Sequence, residues 1–205
     1  MLSEEKIKQH MDLFKQDCIN KSLSSQYIVQ KYLCHGSSLI ISDDTLFILK
    51  HEISCYFGTH PNEVILTGSG KLGFSIAPGK QFRYFNEESD IDIAIISNDL
   101  FEKFWEELLE FNINIISRSQ KEQNNYFKFI NYLFKGWIRP DKFPFNYEKK
   151  SLWFEFFNNL TSQIYPFGEH KIAAGIYKNF KTFEIYNIKN IEKIRNELSA
   201  GVTYE

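Results

Sequence analysis

The sharpest pattern in the chain is SDIDIAII, residues 89–96, in which acids alternate with isoleucine before the run becomes wholly apolar. Period-two alternation predicts a strand, and the apolar continuation predicts that it enters the centre of a sheet. A shorter β-rich run over 63–67 precedes it, after a break at Pro61-Asn62. Helical spacing dominates the rest. Ser3 with Glu4 and Glu5 opens a helix carrying Ile7, Met11, Leu13, Phe14 and Cys18. A short helix over Gln26 to Cys34 ends at Gly36, and Ser42-Asp43-Asp44 caps a third with Leu46, Leu49, Ile53 and Phe57 on its apolar face. Asn98-Asp99 caps LFEKFWEELLEF. Residues 119–134 and 148–163 are also expected to be helical, separated by a loop with Pro140 and Pro144. HKIAAGIYK and KTFEIYN read as two strands joined by a short turn, and a helix over 189–199 follows. The predicted fold is a single α/β (α+β) unit with helical embellishment.

Composition narrows the class. A length of 205 residues suits one substantial domain, and 17% aromatic residues supply bulk for its core. A net charge of −2 excludes a generally basic coat for nucleic acid, though not a local patch. Cys18, Cys34 and Cys55 are odd in number and lack paired spacing, which fits a reducing compartment. MLSEEKIKQH has no apolar core of a secretory signal, and no apolar run approaches the ~20 residues of a membrane span. The expectation is a cytoplasmic protein without a membrane partner.

Between the two early strands lies Gly68-Ser69-Gly70-Lys71-Leu72-Gly73. A P-loop needs Gly where Ile65 stands and Ser or Thr where Leu72 stands, so that reading fails. The glycines do satisfy G-x-G-x-x-G. However, Pro78-Gly79 ends any helix opened by Gly73, and the acids stand at the start of the next strand rather than at its end. The dinucleotide-binding reading fails its context.

Asp90 and Asp92, two apart on a strand, put their carboxylates on one face roughly 6.5–7 Å apart. Mg²⁺ relieves such repulsion and completes its shell with phosphate oxygens, while a Gly-Ser turn offers N–H groups and a hydroxyl to the same phosphates. The bland alternative is the polar face of an amphipathic strand.

Gly68-Ser69 followed by Ser89-Asp90-Ile91-Asp92 resembles the signature of the DNA polymerase β-like nucleotidyltransferase superfamily, in particular its small stand-alone bacterial members. The resemblance covers roughly residues 45–110 and extends weakly to 171–187. It implies a small mixed sheet flanked by helices, with a helical extension over 1–40, a core over 42–110, and helices with a late β-hairpin over 111–205. It implies Mg²⁺ or Mn²⁺ on Asp90 and Asp92, and a nucleoside triphosphate such as ATP contacted by Gly68, Ser69, Gly70 and Lys71. The implied reaction transfers a nucleoside monophosphate to a hydroxyl of RNA, protein or a small molecule. The implied alternative is an inactive binding module of a toxin–antitoxin or phage-defence system. Two departures stand out. The interval before Asp90 is enlarged by an insertion containing KQFRYF, and no Asp lies on either late strand, leaving Glu184 to stand for the family's third carboxylate.

Other residues carry weaker signals. Lys71, Lys80 and Arg83 suit either phosphate or a solvated loop, and His170 suits a proton carrier or an ordinary turn. A zinc site drawn from His51, Cys55, Cys34 and His35 matches no strong pattern. Aromatics interleaved with Lys128, Lys135, Arg139, Lys142, Lys149 and Lys150 fit helical packing best, with a nucleic-acid-facing edge as the alternative.

Overall fold

The computed structural model describes residues 4–113, 118–163 and 170–202; the expected cap Ser3 lies outside them. Eight α-helices and a four-stranded sheet make up the described chain. In chain order they are α1 (Glu4–Ile19), α2 (Ser25–Val29), α3 (Asp43–Phe57), β1 (Val64–Thr67), α4 (Gly68–Leu72), β2 (Ile91–Ile96), α5 (Asn98–Ile113), α6 (Gln120–Phe134), β3 (Trp137–Ile138), α7 (Glu148–Gln163), β4 (Ile172–Tyr177) and α8 (Phe180–Ser199). A π-helical turn, Gln30–Cys34, continues α2.

The sheet order is β1-β2-β4-β3. β2 pairs antiparallel with β1 and parallel with β4, and β3 closes the other edge antiparallel to β4, so the sheet is mixed. Alternation then sorts the side chains into two cores. Val64, Leu66, Ile91, Ile93, Ile95, Ile172, Ala174 and Ile176 pack on one side with α3, α5, α6 and α7. Ile65, Ala94, Ile96 and Tyr177 point to the other side, where α1, α2 and α8 supply Phe14, Ile28, Phe183 and Ile191. The segment expected as an N-terminal extension is therefore half of one core layer. Leu13, assigned to the apolar face of α1, is instead 56% exposed.

Two expectations are corrected. KTFEIYN is the start of α8 and not a strand, so it forms no late hairpin with β4. Asn179 accepts a hydrogen bond from the Thr182 amide, Thr182 Oγ1 accepts one from the Asn179 amide, and this reciprocal cap commits the segment to a helix. Buried Phe183, Asn187, Ile191 and Ile194 continue the helical spacing to the end of the element. We expect Asn179→Ala to cost about 1 kcal/mol and lower the melting temperature by about 2–4 °C in a far-UV thermal melt. An unchanged melt would show that packing alone commits the helix. Second, β3 lies within the expected loop; a two-residue strand gives no periodic signal.

The insertion is folded. Phe74 bridges Tyr84, the Ser75 amide donates to the Arg83 carbonyl at 2.8 Å, and the Phe82 amide donates to the Ser75 carbonyl at 2.7 Å. Phe74, Ile76 and Phe82 bury their side chains in the α1 layer. Among the described residues no helix is long and apolar enough to cross a membrane.

Candidate nucleotide and metal site

The β1–β2 register sets Thr67 opposite Asp92, so the residue after β1 arrives beside the carboxylate. That residue is Gly68, at φ 65°, where a built Cβ would lie 2.5 Å from Asp92 Oδ2. Only glycine fits both the left-handed backbone and the approach. Gly68 also starts α4, which Gly73 ends in a left-handed cap, with no helix opening at the third glycine. Ser69 follows in the first turn of α4 and lines the same cleft.

The cleft holds about 530 Å³. Its floor is the sheet face carrying Asp92, Ala94, Ala173 and Gly175, one rim is Ser75–Pro78 of the insertion, and the opposite wall is α8 with Tyr186 and Asn190. Among the described residues Asp92 is the only carboxylate in the lining, with Lys135, Arg139 and Lys189 also lining the cleft. Burial pushes the Asp92 carboxyl up to about 6; Asp90 raises it further and Arg139 only partly offsets the shift. Among the described residues that carboxylate has no hydrogen bond and no ion pair.

Asp90 is exposed, one residue before β2 and outside the lining, yet near enough to act on Asp92. It is held by a turn in which the Ser89 amide donates to the Asn86 carbonyl at 2.8 Å. His170 Nδ1–H donates to the Ser89 carbonyl at 3.0 Å, so this histidine braces the approach to Asp90.

Three sequence-derived assignments are not brought together here. Glu184 lies on α8 outside the lining, its carboxylate accepting from Gln26 Nε2 at 2.8 Å and Gln30 Nε2 at 2.7 Å. It sits away from the aspartates because its segment is helix and not strand. Lys71 is buried outside the cleft; desolvation pulls its pKa down to about 8, opposed by Cys34 and reinforced by Lys50. Gly70 is a packing position, where a Cβ would meet Ile91 Cδ1 at 3.3 Å, and its carbonyl accepts from Ser38 Oγ at 2.7 Å.

Arg139, which sequence reasoning placed only among scattered basic residues, is the main cation of the cleft. Asp141 receives its Nε at 2.7 Å and its Nη2 at 2.6 Å. Burial alone would lower its pKa, but Asp141, with Asp92 and Asp90 beyond it, keeps it raised. The arginine and Trp137 lie over Gly175, where a Cβ would be 2.5 Å from Trp137 Nε1 and 3.3 Å from Arg139 Cδ. The only advance signal was Arg-x-Asp in GWIRPDK, too short to stand alone.

A half-buried carboxylate that Arg139 only partly offsets, with a second one beside it, fits a hard divalent cation. Among the described residues no third His, Cys, Asp or Glu completes a metal cluster, so such an ion would take its remaining ligands from water and phosphate. Comparison with models of known families, with characterised proteins and with solved structures finds no match of any of the three kinds.

Proposed function

We propose that the chain is a Mg²⁺-dependent nucleotidyltransferase of the DNA polymerase β-like kind, moving a nucleoside monophosphate from a triphosphate to a hydroxyl acceptor. The carrying observation is the close approach of Gly68 to the unpartnered Asp92 carboxylate, which sets Ser69 and that carboxylate in one cleft with Asp90 nearby outside it. Asp92 and Asp90 would hold the cation, which when bound neutralises phosphate charge and polarises the reacting phosphorus. Ser69 offers its hydroxyl to the phosphates, and Arg139, aligned by Asp141, supplies fixed positive charge. The acceptor oxygen bonds to the α-phosphorus, the bond to the bridging oxygen of the β-phosphate breaks, pyrophosphate departs, and the hydroxyl proton leaves to solvent. Transfer of label from α-³²P-nucleoside triphosphates to RNA, protein or small molecules in cell extract tests this directly. Wild type should transfer label, and the Asp90→Ala/Asp92→Ala double variant should not; transfer by the double variant would sink the reading.

A second reading, a non-catalytic binding module on the same fold, is favoured by one observation. The strand beside β2 presents Ala173 and Gly175 to the cleft, and Glu184 is engaged elsewhere, so no further carboxylate lines it. The two readings separate in a thermal melt. With two carboxylates at most, Mg²⁺ alone should bind weakly, so an enzyme should be stabilised by Mg²⁺ and triphosphate together far more than by either alone. Indifference to every triphosphate with Mg²⁺ would favour the binding module.

A further inference from the structure

A second cleft, of about 430 Å³, shares Tyr132, Trp137 and Arg139 with the first and adds Lys128, Phe129 and Lys142. Among the described residues no carboxylate lines it. The nearest acid, Asp141, has a side chain only 8% exposed and is occupied by Arg139, with Lys142 Nζ at 3.8 Å. Lys128 is exposed and makes no ion pair among the described residues, and the Lys142 side chain is 69% exposed. In a chain of net charge −2, this is a local concentration of cations.

Two partly exposed rings line it, Tyr132 and Trp137, beside buried Phe129. Tyr132 is 41% exposed and shares its face of α6 with Asn125, Lys128 and Phe129. Tyr132 stands edge-on to Trp137, with ring centres 4.6 Å apart. Cations suit any polyanion, but open aromatic faces beside them suit one whose bases are unstacked, because every base offers a π-face. An acidic peptide would use the lysines and leave the rings idle. A duplex would keep its bases stacked on one another.

We propose that this second cleft, with the face of α6 that lines it, binds single-stranded nucleic acid. Its phosphates lie on Lys128, Lys142 and Arg139, and its bases stack on Tyr132 and Trp137. Because three wall residues are common to both clefts, a strand seated there has its terminal hydroxyl beside the Asp92 cleft, which makes nucleic acid the acceptor. The acceptor role rests on the nucleotidyl-transfer reading; the binding does not.

Fluorescence anisotropy with a labelled 12-nucleotide single strand, as RNA and as DNA, tests the binding against the same sequence as duplex and against a poly-glutamate peptide. The single strand should bind best, in either sugar, with the comparison telling which is preferred. Affinity should fall with salt at a log–log slope of about −2 for three phosphate contacts. Lys128→Glu/Lys142→Glu, two exposed positions that leave the melting temperature intact, should weaken it by at least about tenfold. Tyr132→Ala should weaken it without changing the salt slope. Duplex or peptide binding as tight as the single strand, or unchanged binding in the lysine variant, would overturn the proposal. So would absence of single-strand binding, whatever the response to Mg²⁺ and triphosphate, which is measured separately and bears on the function reading alone.

Discussion

Asp92→Asn should make the free protein more stable at pH 8 while abolishing its response to Mg²⁺ and triphosphate. The Asp92 carboxyl is pushed up to about 6 from an ordinary 3.8, chiefly by burial and then by Asp90. A carboxyl whose folded value is raised binds its proton more tightly in the folded state. Its favourable contribution is therefore complete below about pH 4 and lost as pH rises through about 6. Above that, the folded chain carries a half-buried charge that unfolding would release to water. Replacing it by a neutral isostere should restore on the order of 2 kcal/mol at pH 8, or about 4–8 °C of melting temperature. The gain should shrink toward pH 5, where the wild-type carboxyl is itself mostly protonated. Thermal melts of both proteins from pH 5 to 8, with and without Mg²⁺ and triphosphate, check both halves. A destabilised Asp92→Asn protein at pH 8 would mean that the carboxylate has a structural partner.

Gly68→Ala should be the most damaging single-methyl change near the site. Gly58 provides the control: its φ of 66° matches the 65° of Gly68, but nothing lies within 4 Å of a Cβ built there. Gly58→Ala therefore measures left-handed strain alone, about 1–2 kcal/mol. Gly68→Ala adds a methyl 2.5 Å from Asp92 Oδ2, so either the β1–β2 pairing or the carboxylate must shift. Its loss of stability in urea unfolding should be about twice that of the control or more, and its Mg²⁺–triphosphate response should vanish while that of Gly58→Ala persists. Equal effects of the two substitutions would show that the contact with Asp92 carries no weight.

The legible parts of this molecule were those governed by short-range repetition. Alternation in SDIDIAII yielded β2 and its two faces, and the nearness of Gly68-Ser69 to that strand became a contact once Thr67 paired with Asp92. The helices with full apolar stripes and side-chain caps, such as α3 behind Ser42 and α6 behind Ser119, were also readable. What escaped depended on distant partners. KTFEIYN has a composition that suits strand or helix, and the Asn179–Thr182 cap together with packing against α1 and α2 decided for helix, carrying Glu184 toward Gln26 and Gln30. Lys71 looked like a loop cation because its burial depends on the elements packed around α4, α1 and β2 among them, which no local pattern announces. Arg139 became the cation of the cleft because β3 lies next to β4, and a two-residue strand announces nothing in advance. The closeness of Gly68-Ser69 to the Asp90-Ile91-Asp92 run put Gly68 beside Asp92; no such local spacing pointed to the arginine.

Calorimetric titration of each nucleoside triphosphate into the protein, with Mg²⁺ and again with the cation chelated, tests the central claim most directly. The account predicts saturable binding of at least one triphosphate that requires Mg²⁺ and disappears in Asp92→Asn. Binding of equal strength without the cation, or undiminished in Asp92→Asn, would contradict it.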